Sequence, residues 1–137
     1  MSTSEVQAYR RVPRNNGAIQ RYKQQFSLAQ CECCGWTAPE GDSGLLHCHH
    51  VVPVVCGGTN DPSNLALLCP THHAIAHRLF PKQPRGTAFL GLTSKTGLCQ
   101  LIRLYARDPR KALARAAEIR HQAAIDHIRP FLERAHG

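Results

Sequence analysis

Cys31-Glu-Cys-Cys34 and Cys69-Pro-Thr-His72 constrain this chain more than any other feature. Each pair has a two-residue gap, the spacing that lets one turn aim two ligand atoms at a single ion. Three thiolates and an imidazole match a closed, tetrahedral zinc site, so Cys31, Cys34, Cys69 and His72 are the expected structural zinc ligands. Deprotonated sulfur suits zinc rather than magnesium or calcium. One such pair arises easily by chance, whereas two of them about 35 residues apart around a patterned segment are specific. A chain of this size buries only a modest core, so a metal staple is useful to it. Cys33 adjoins Cys34 and points elsewhere, and Trp36 is expected to pack rather than bind.

The 137 residues suggest one domain with appended helices. Seven cysteines could form a disulfide framework only in an oxidising compartment. The opening Met1-Ser-Thr-Ser-Glu-Val-Gln-Ala-Tyr-Arg-Arg11 has no apolar signal-peptide core, and no apolar run reaches the ~18 residues of a membrane span. The expected compartment is the cytoplasm, with no membrane partner. Net charge is +8 and unevenly spread. Residues 1–79 carry six Lys and Arg against five Asp and Glu, and residues 80–137 carry eleven against four. Between Cys31 and His77 there is no Lys or Arg and there are four acidic residues. An acidic island between basic flanks suits either a polyanionic partner, most simply nucleic acid, or ordinary solvated helix faces.

Ile19, Tyr22 and Phe26 recur at helical spacing and predict a short amphipathic helix over 17–30. Cys31–Trp36 reads as a tight turn, and 38–44 as a polar loop. Leu45 to Pro53 is apolar and valine-rich, which predicts a strand. A glycine-containing loop over 56–64 leads to a second strand at 65–69. A helix opened by Pro70 then runs to Phe80. The order is strand, long loop, strand, helix: a ββα unit. Residues 81–86 break the chain, and 87–92 are ambiguous. Leu98, Leu101, Ile102 and Tyr105 mark one face of a helix over 94–107. Asp108-Pro109 starts another, with Leu113, Ala116, Ala117, Ala124 and Ile128 as its apolar stripe and Pro130 expected to end or kink it.

His73 and His77 lie four apart and share a helix face, about 100° round from His72. That makes a metal half-site in need of a third ligand, unless both rings simply face solvent. The strand at 47–50 offers His47, His49 and His50. Neighbouring strand residues point to opposite faces, so one of His49 and His50 can bind an ion while the other stays free as a general base. His47 shares a face with His49, and spacing alone does not exclude it.

The run His49-His-Val-Val-Pro-Val-Val-Cys-Gly-Gly-Thr-Asn-Asp-Pro-Ser-Asn-Leu65, followed by Cys69-Pro-Thr-His-His73 and His77, resembles the HNH endonucleases, the ββα-metal or His-Me finger nucleases. The resemblance covers about residues 31–77. It implies a small ββα-metal core with a zinc-bound Cys3His site; with the helical patterns on either side, the expected fold is α+β, that core flanked by an N-terminal helix and C-terminal α-helices. By position, it implies that His49 is the strand metal ligand and His50 the general base. Asn64 would brace the loop and orient the base. His73 would be a metal ligand and His77 the additional helix ligand. His47 has no role in the pattern and is expected to support. His72 departs from it, standing where many members carry a fourth zinc cysteine. With the composition of the flanks, the expected division is a flexible basic N-terminus at 1–16, the nuclease core at 17–80 and a basic helical extension at 81–137.

The expected function is that of a metal-dependent HNH endonuclease hydrolysing DNA phosphodiester bonds, with His50 taking a proton from the attacking water. Structural zinc and one catalytic divalent ion are implied, the latter magnesium, manganese, nickel, cobalt or zinc; three imidazoles favour the later metals over magnesium. The expected partner is double-stranded DNA, and a homodimer is compatible. Phosphate contacts are expected from Arg10, Arg11, Arg14, Arg21, Lys23 and Arg78, and from Arg103, Arg110, Lys111, Arg115 and Arg120 in the tail. The competing readings are a non-catalytic, zinc-stabilised nucleic-acid-binding module and an RNA-directed nuclease.

Overall fold

The computed structural model describes residues 16–24, 30–39 and 43–136. The expected N-terminal segment up to residue 15 and the helical position Phe26 lie outside the described residues. Helix α1, Asn16–Gln24, comes first. A turn over residues 31–36 is closed by an antiparallel bridge between Gln30 and Thr37. Strand β1, His47–His50, pairs antiparallel with β2, Leu65–Leu68, in the register His47 to Leu68, Cys48 to Leu67, His49 to Ala66 and His50 to Leu65. Helix α2, Pro70–Leu79, completes the ββα unit. Residues 80–94 form an irregular strap, and α3, Lys95–Arg107, and α4, Pro109–His136, follow. The expected α+β class and its flanking helices are present. No helix among the described residues is long and apolar enough to cross a membrane.

Strand alternation divides the core. Leu65, Leu67 and Cys48 turn to one side of the sheet and pack against Ile19 and Tyr22 of α1. Ala66 and Leu68 turn to the other side, where Ile75, Ala76 and Leu79 of α2 meet them. Leu98, Leu101 and Ile102 of α3 and Ala112 and Ala116 of α4 belong to the same apolar cluster. The strand is shorter than the expected run to Pro53, because the chain bends away at Val51 and Val52.

The loop from 51 to 64 is held by its own polar groups. Gly57 adopts φ +92°, the left-handed region. At Gly58 a Cβ would lie 1.7 Å from the Val52 carbonyl oxygen, so only glycine fits. Helix α2 begins at Pro70, whose missing N–H costs nothing at a first helical position. The Ser94 hydroxyl caps α3 by accepting from the Gly97 N–H at 2.9 Å. The Asp108 carboxylate accepts from the Lys111 N–H at 3.2 Å as α4 starts.

Helix α4 differs from expectation in two ways. Its buried face is formed by Ala112 and Ala116, continued by partly buried Ile119, whereas Leu113 and Ile128 are exposed. Ala112 and Ala116 are buried in one cluster with Leu98, Leu101 and Ile102 of α3, so the inward face of α4 there is made of small side chains. The helix also continues through Pro130 to His136. The proline removes one backbone bond of the helix and does not terminate it.

Candidate metal centres and nuclease site

The Sγ atoms of Cys31, Cys34 and Cys69 and a ring nitrogen of His72 lie within 4.8 Å of one another. Cys31 and Cys34 sit on the turn after α1. Cys69 is the residue before α2, and His72 lies in its first turn. His72 Nδ1 is 3.6 Å from Cys31 Sγ and 3.3 Å from Cys69 Sγ. A zinc tetrahedron with ordinary bond lengths has S···N edges of about 3.6 Å, so the donor set fits the ion in chemistry and in span. Histidine in place of a fourth cysteine leaves the cluster assembled. Cys33 takes no part: its thiol donates to Cys99 Sγ at 2.8 Å, and the Cys31 and Cys99 contacts hold its pKa well above the usual thiol range. The Cys31 thiol is lowered, chiefly by its contact with Cys33 and also by His72. Trp36 is 39% exposed.

The second cluster joins His49 of β1 to His73 and His77 of α2, each offering a ring nitrogen within 4.8 Å of the others. His73 Nε2 and His77 Nε2 face each other at 3.1 Å. Two imidazole nitrogens bound at about 2.1 Å to one ion stand that close, so these residues fit a divalent metal. Burial pushes the His49 ring down to about 3, with the nearby His73, His77 and His50 adding to the effect. Burial, then the charge of Lys82, lowers His77. Near neutral pH both rings therefore carry no charge and present lone pairs, the form a metal requires.

Alternation separates the neighbouring histidines: His49 shares the α2 side of the sheet with Ala66, and His50 pairs with Leu65 on the opposite side. His47, on the His49 side, places Nδ1 2.7 Å from His73 Nδ1. His73 thus turns one nitrogen toward the cluster and the other toward His47, the pattern of an outer partner that fixes a ligand ring. Asn64 is the one buried polar residue among those described. Its Oδ1 accepts from the Val52 N–H at 2.8 Å, and its Nδ2 donates to the carbonyls of Val52 at 3.0 Å and Thr59 at 2.8 Å. It staples the two ends of the loop.

The basic residues divide. Arg103 Nε donates to the Cys33 carbonyl at 2.9 Å, which ties α3 to the cysteine turn. Arg120 donates to the Leu79 carbonyl at the end of α2. Arg78 reaches the Tyr105 hydroxyl at 3.2 Å and remains exposed. Arg21, Arg110, Lys111 and Arg115 are exposed. Arg10, Arg11 and Arg14 and the Lys23 side chain lie outside the described residues.

Sequence reasoning missed the Glu32 junction. Its carboxylate accepts from the Tyr22 hydroxyl at 2.8 Å, the Leu67 N–H at 2.6 Å and Lys95 Nζ at 3.0 Å, joining α1, β2 and α3. It also missed Asn60, whose Oδ1 lies 2.9 Å from His50 Nε2. Neither carries a spacing signal, because each partner is distant in sequence or sits in an irregular loop.

Two imidazoles on a helix, one on a paired strand and a cysteine-rich knuckle beside them define a ββα-metal unit, and residues 31–78 match the HNH endonuclease family: the chain carries an HNH endonuclease domain over that span. Among curated proteins, it is similar to the type IV methyl-directed restriction enzyme EcoKMcrA of Escherichia coli (strain K12), with 32% identity over 76 residues. That match covers 53% of this chain and 27% of the relative, so the chain spans only about a quarter of that protein's length. No solved structure matches the chain significantly.

Proposed function

We propose that this chain is a metal-dependent endonuclease that hydrolyses DNA phosphodiester bonds. The observation that carries this is the cluster of His49, His73 and His77, whose ring nitrogens lie within 4.8 Å of one another, with His50 adjoining it on the strand. The relative's name, that of a restriction enzyme, favours DNA over RNA as the substrate. Neither the family match nor the relative supports a homodimer.

In this reading His49, His73 and His77 hold the divalent ion. When bound, that ion supplies positive charge to offset charge developing on the phosphate in the transition state. His50 stands outside the ion's ligand set and lies beside His49 on the strand. It takes the proton of the attacking water and is the general base. Asn64 fixes the loop that faces His50, and Cys31, Cys34, Cys69 and His72 hold zinc that fixes the start of α2. Because α2 carries His73 and His77, the zinc site acts on the chemistry only by position. Manganese, cobalt, nickel and zinc suit three imidazoles better than magnesium does. Phosphate contacts fall to the exposed Arg78, Arg110, Lys111 and Arg115, with Arg21, Lys23 and the basic residues before them. Arg103 and Arg120 serve the fold first.

A supercoiled-plasmid nicking assay with manganese tests the reading. Nicked and linear products are expected from the native chain, with none after chelation. His50→Ala should lose about 10²–10⁴-fold in rate, the usual contribution of a general base, while retaining zinc and fold. Full activity in that variant would remove His50 from the role, and nicking that ignores chelation would remove the metal.

A further inference from the structure

We infer that Asn60 is a positioning residue for His50: its side-chain oxygen holds the ring as the Nε2–H tautomer and leaves the lone pair on Nδ1. The inference rests on the reading of His50 as the base and names the atom that would take the proton. Nε2 of His50 lies 2.9 Å from Asn60 Oδ1. An amide oxygen can only accept, so the ring nitrogen facing it must carry the hydrogen. A neutral imidazole has one ring proton, which leaves Nδ1 as its acceptor.

Asn60 suits this task because the loop on both sides of it is fixed. The Thr59 carbonyl accepts from Asn64 Nδ2 at 2.8 Å. The Asp61 N–H reaches the Thr59 hydroxyl at 3.4 Å, and the Asp61 carbonyl accepts from the Asn64 N–H at 2.8 Å. On the opposite side of the loop, Asn64 grips both backbone groups of Val52, two residues beyond His50. The chain from His50 to Asn64 is thus closed on itself, and Asn60 Oδ1 is its contact with the base. Asn64 orients His50 through Asn60 and not by touching it. The arrangement is the same in kind as any base whose tautomer is set by the bond its other nitrogen makes.

Two variants separate this from a merely structural role. Asn60→Leu keeps the size and removes the acceptor, and Asn60→Asp keeps an acceptor and cannot donate. Both are made in the full, zinc-loaded chain, with zinc content and circular dichroism as controls for folding. The nitrogen-15 signals of the His50 ring are expected to show a protonated Nε2 and an unprotonated Nδ1 in the native chain and in Asn60→Asp. In Asn60→Leu the two tautomers should mix. Plasmid nicking with manganese should show kcat for Asn60→Leu down by about tenfold or more, within the about 10²–10⁴-fold a base contributes, with KM little changed. Asn60→Asp should stay within a few-fold of the native rate. A native ring protonated on Nδ1, or an Asn60→Leu chain with native tautomer and native kcat, would overturn the inference. So would Asn60→Asp behaving like Asn60→Leu. If the native chain cleaves no DNA, the nuclease reading falls, and the ring-nitrogen signals alone decide whether Asn60 sets the tautomer.

Discussion

Single side chains settle what the two adjacent histidines can do. His49 and His50 differ by one position in a strand, and that one position sends their rings to opposite sides of the sheet. The burial that lowers the His49 ring to about 3 keeps it neutral, the form that could bind an ion. His47 shows how much an outer partner matters. Its Nδ1 lies 2.7 Å from His73 Nδ1, so His73 keeps one nitrogen for that bond and the other for the cluster. Replacing His47 with alanine should weaken manganese binding about 10–100-fold, as losses of such outer partners do, and titration calorimetry on the zinc-loaded chain reads it directly. An unchanged affinity would mean that His73 is oriented by the helix alone. His47 was legible in the sequence only as a residue on the ligand's face, because its partner lies 26 positions away.

Elements carry these residues to one another. Helix α2 has at its start Cys69 and His72 of the first cluster, which could hold zinc, and bears His73 and His77 in the turns that follow. Substituting Cys69 with serine should release zinc and lower the melting temperature. It should also weaken the second cluster, although no ligand of that cluster has changed. Zinc analysis together with manganese titration would reveal both effects, and intact manganese affinity in a zinc-free chain would uncouple the sites. The β1–α2 pairing also responds to acid. The folded His49 ring binds its proton only near pH 3, whereas an unfolded histidine does so near 6.5. Below about 6.5 the unfolded chain therefore binds more protons, and stability falls as pH drops from about 6.5 toward 3. His77 is shifted in the same direction. Urea unfolding of the chain loaded only at the knuckle should give a lower midpoint at pH 5 than at pH 7.5. A His49→Phe variant should lose much of that difference.

At the scale of the whole molecule, the C-terminal helices are part of the core. Leu98, Leu101, Ile102, Ala112 and Ala116 share one apolar cluster with Leu68, Ile75 and Leu79. Removing residues 86–137 would expose that cluster, so point substitutions are the better probe of the tail's charge. Changing Arg110, Lys111 and Arg115 together to glutamine should reduce the salt slope of DNA binding by about 0.9 for each phosphate no longer neutralised, up to nearly three, without unfolding the chain. Arg103→Gln should mainly lower stability, since its guanidinium caps the Cys33 and Glu32 carbonyls. Binding measured across salt concentrations, beside thermal melts, distinguishes the two classes. An unchanged slope in the triple variant would move the phosphate-binding role to Arg78 and the N-terminal flank.

The sequence by itself determined which side chains gather in the two clusters that could hold metal, the strand–loop–strand–helix order and the opposite facing of His49 and His50. Each of these follows from short-range spacing, set by the geometry of a turn, a strand or a helix. Only the tertiary structure decided which face of α4 is buried, that Arg103 and Arg120 brace the fold, and that Glu32 gathers three elements. Only there do His47 meet His73 and Asn60 meet His50. Those pairings join residues through loops and across elements, where no period relates one partner to the other. They depend on how closely alanine faces let helices approach and on where a stapled loop closes.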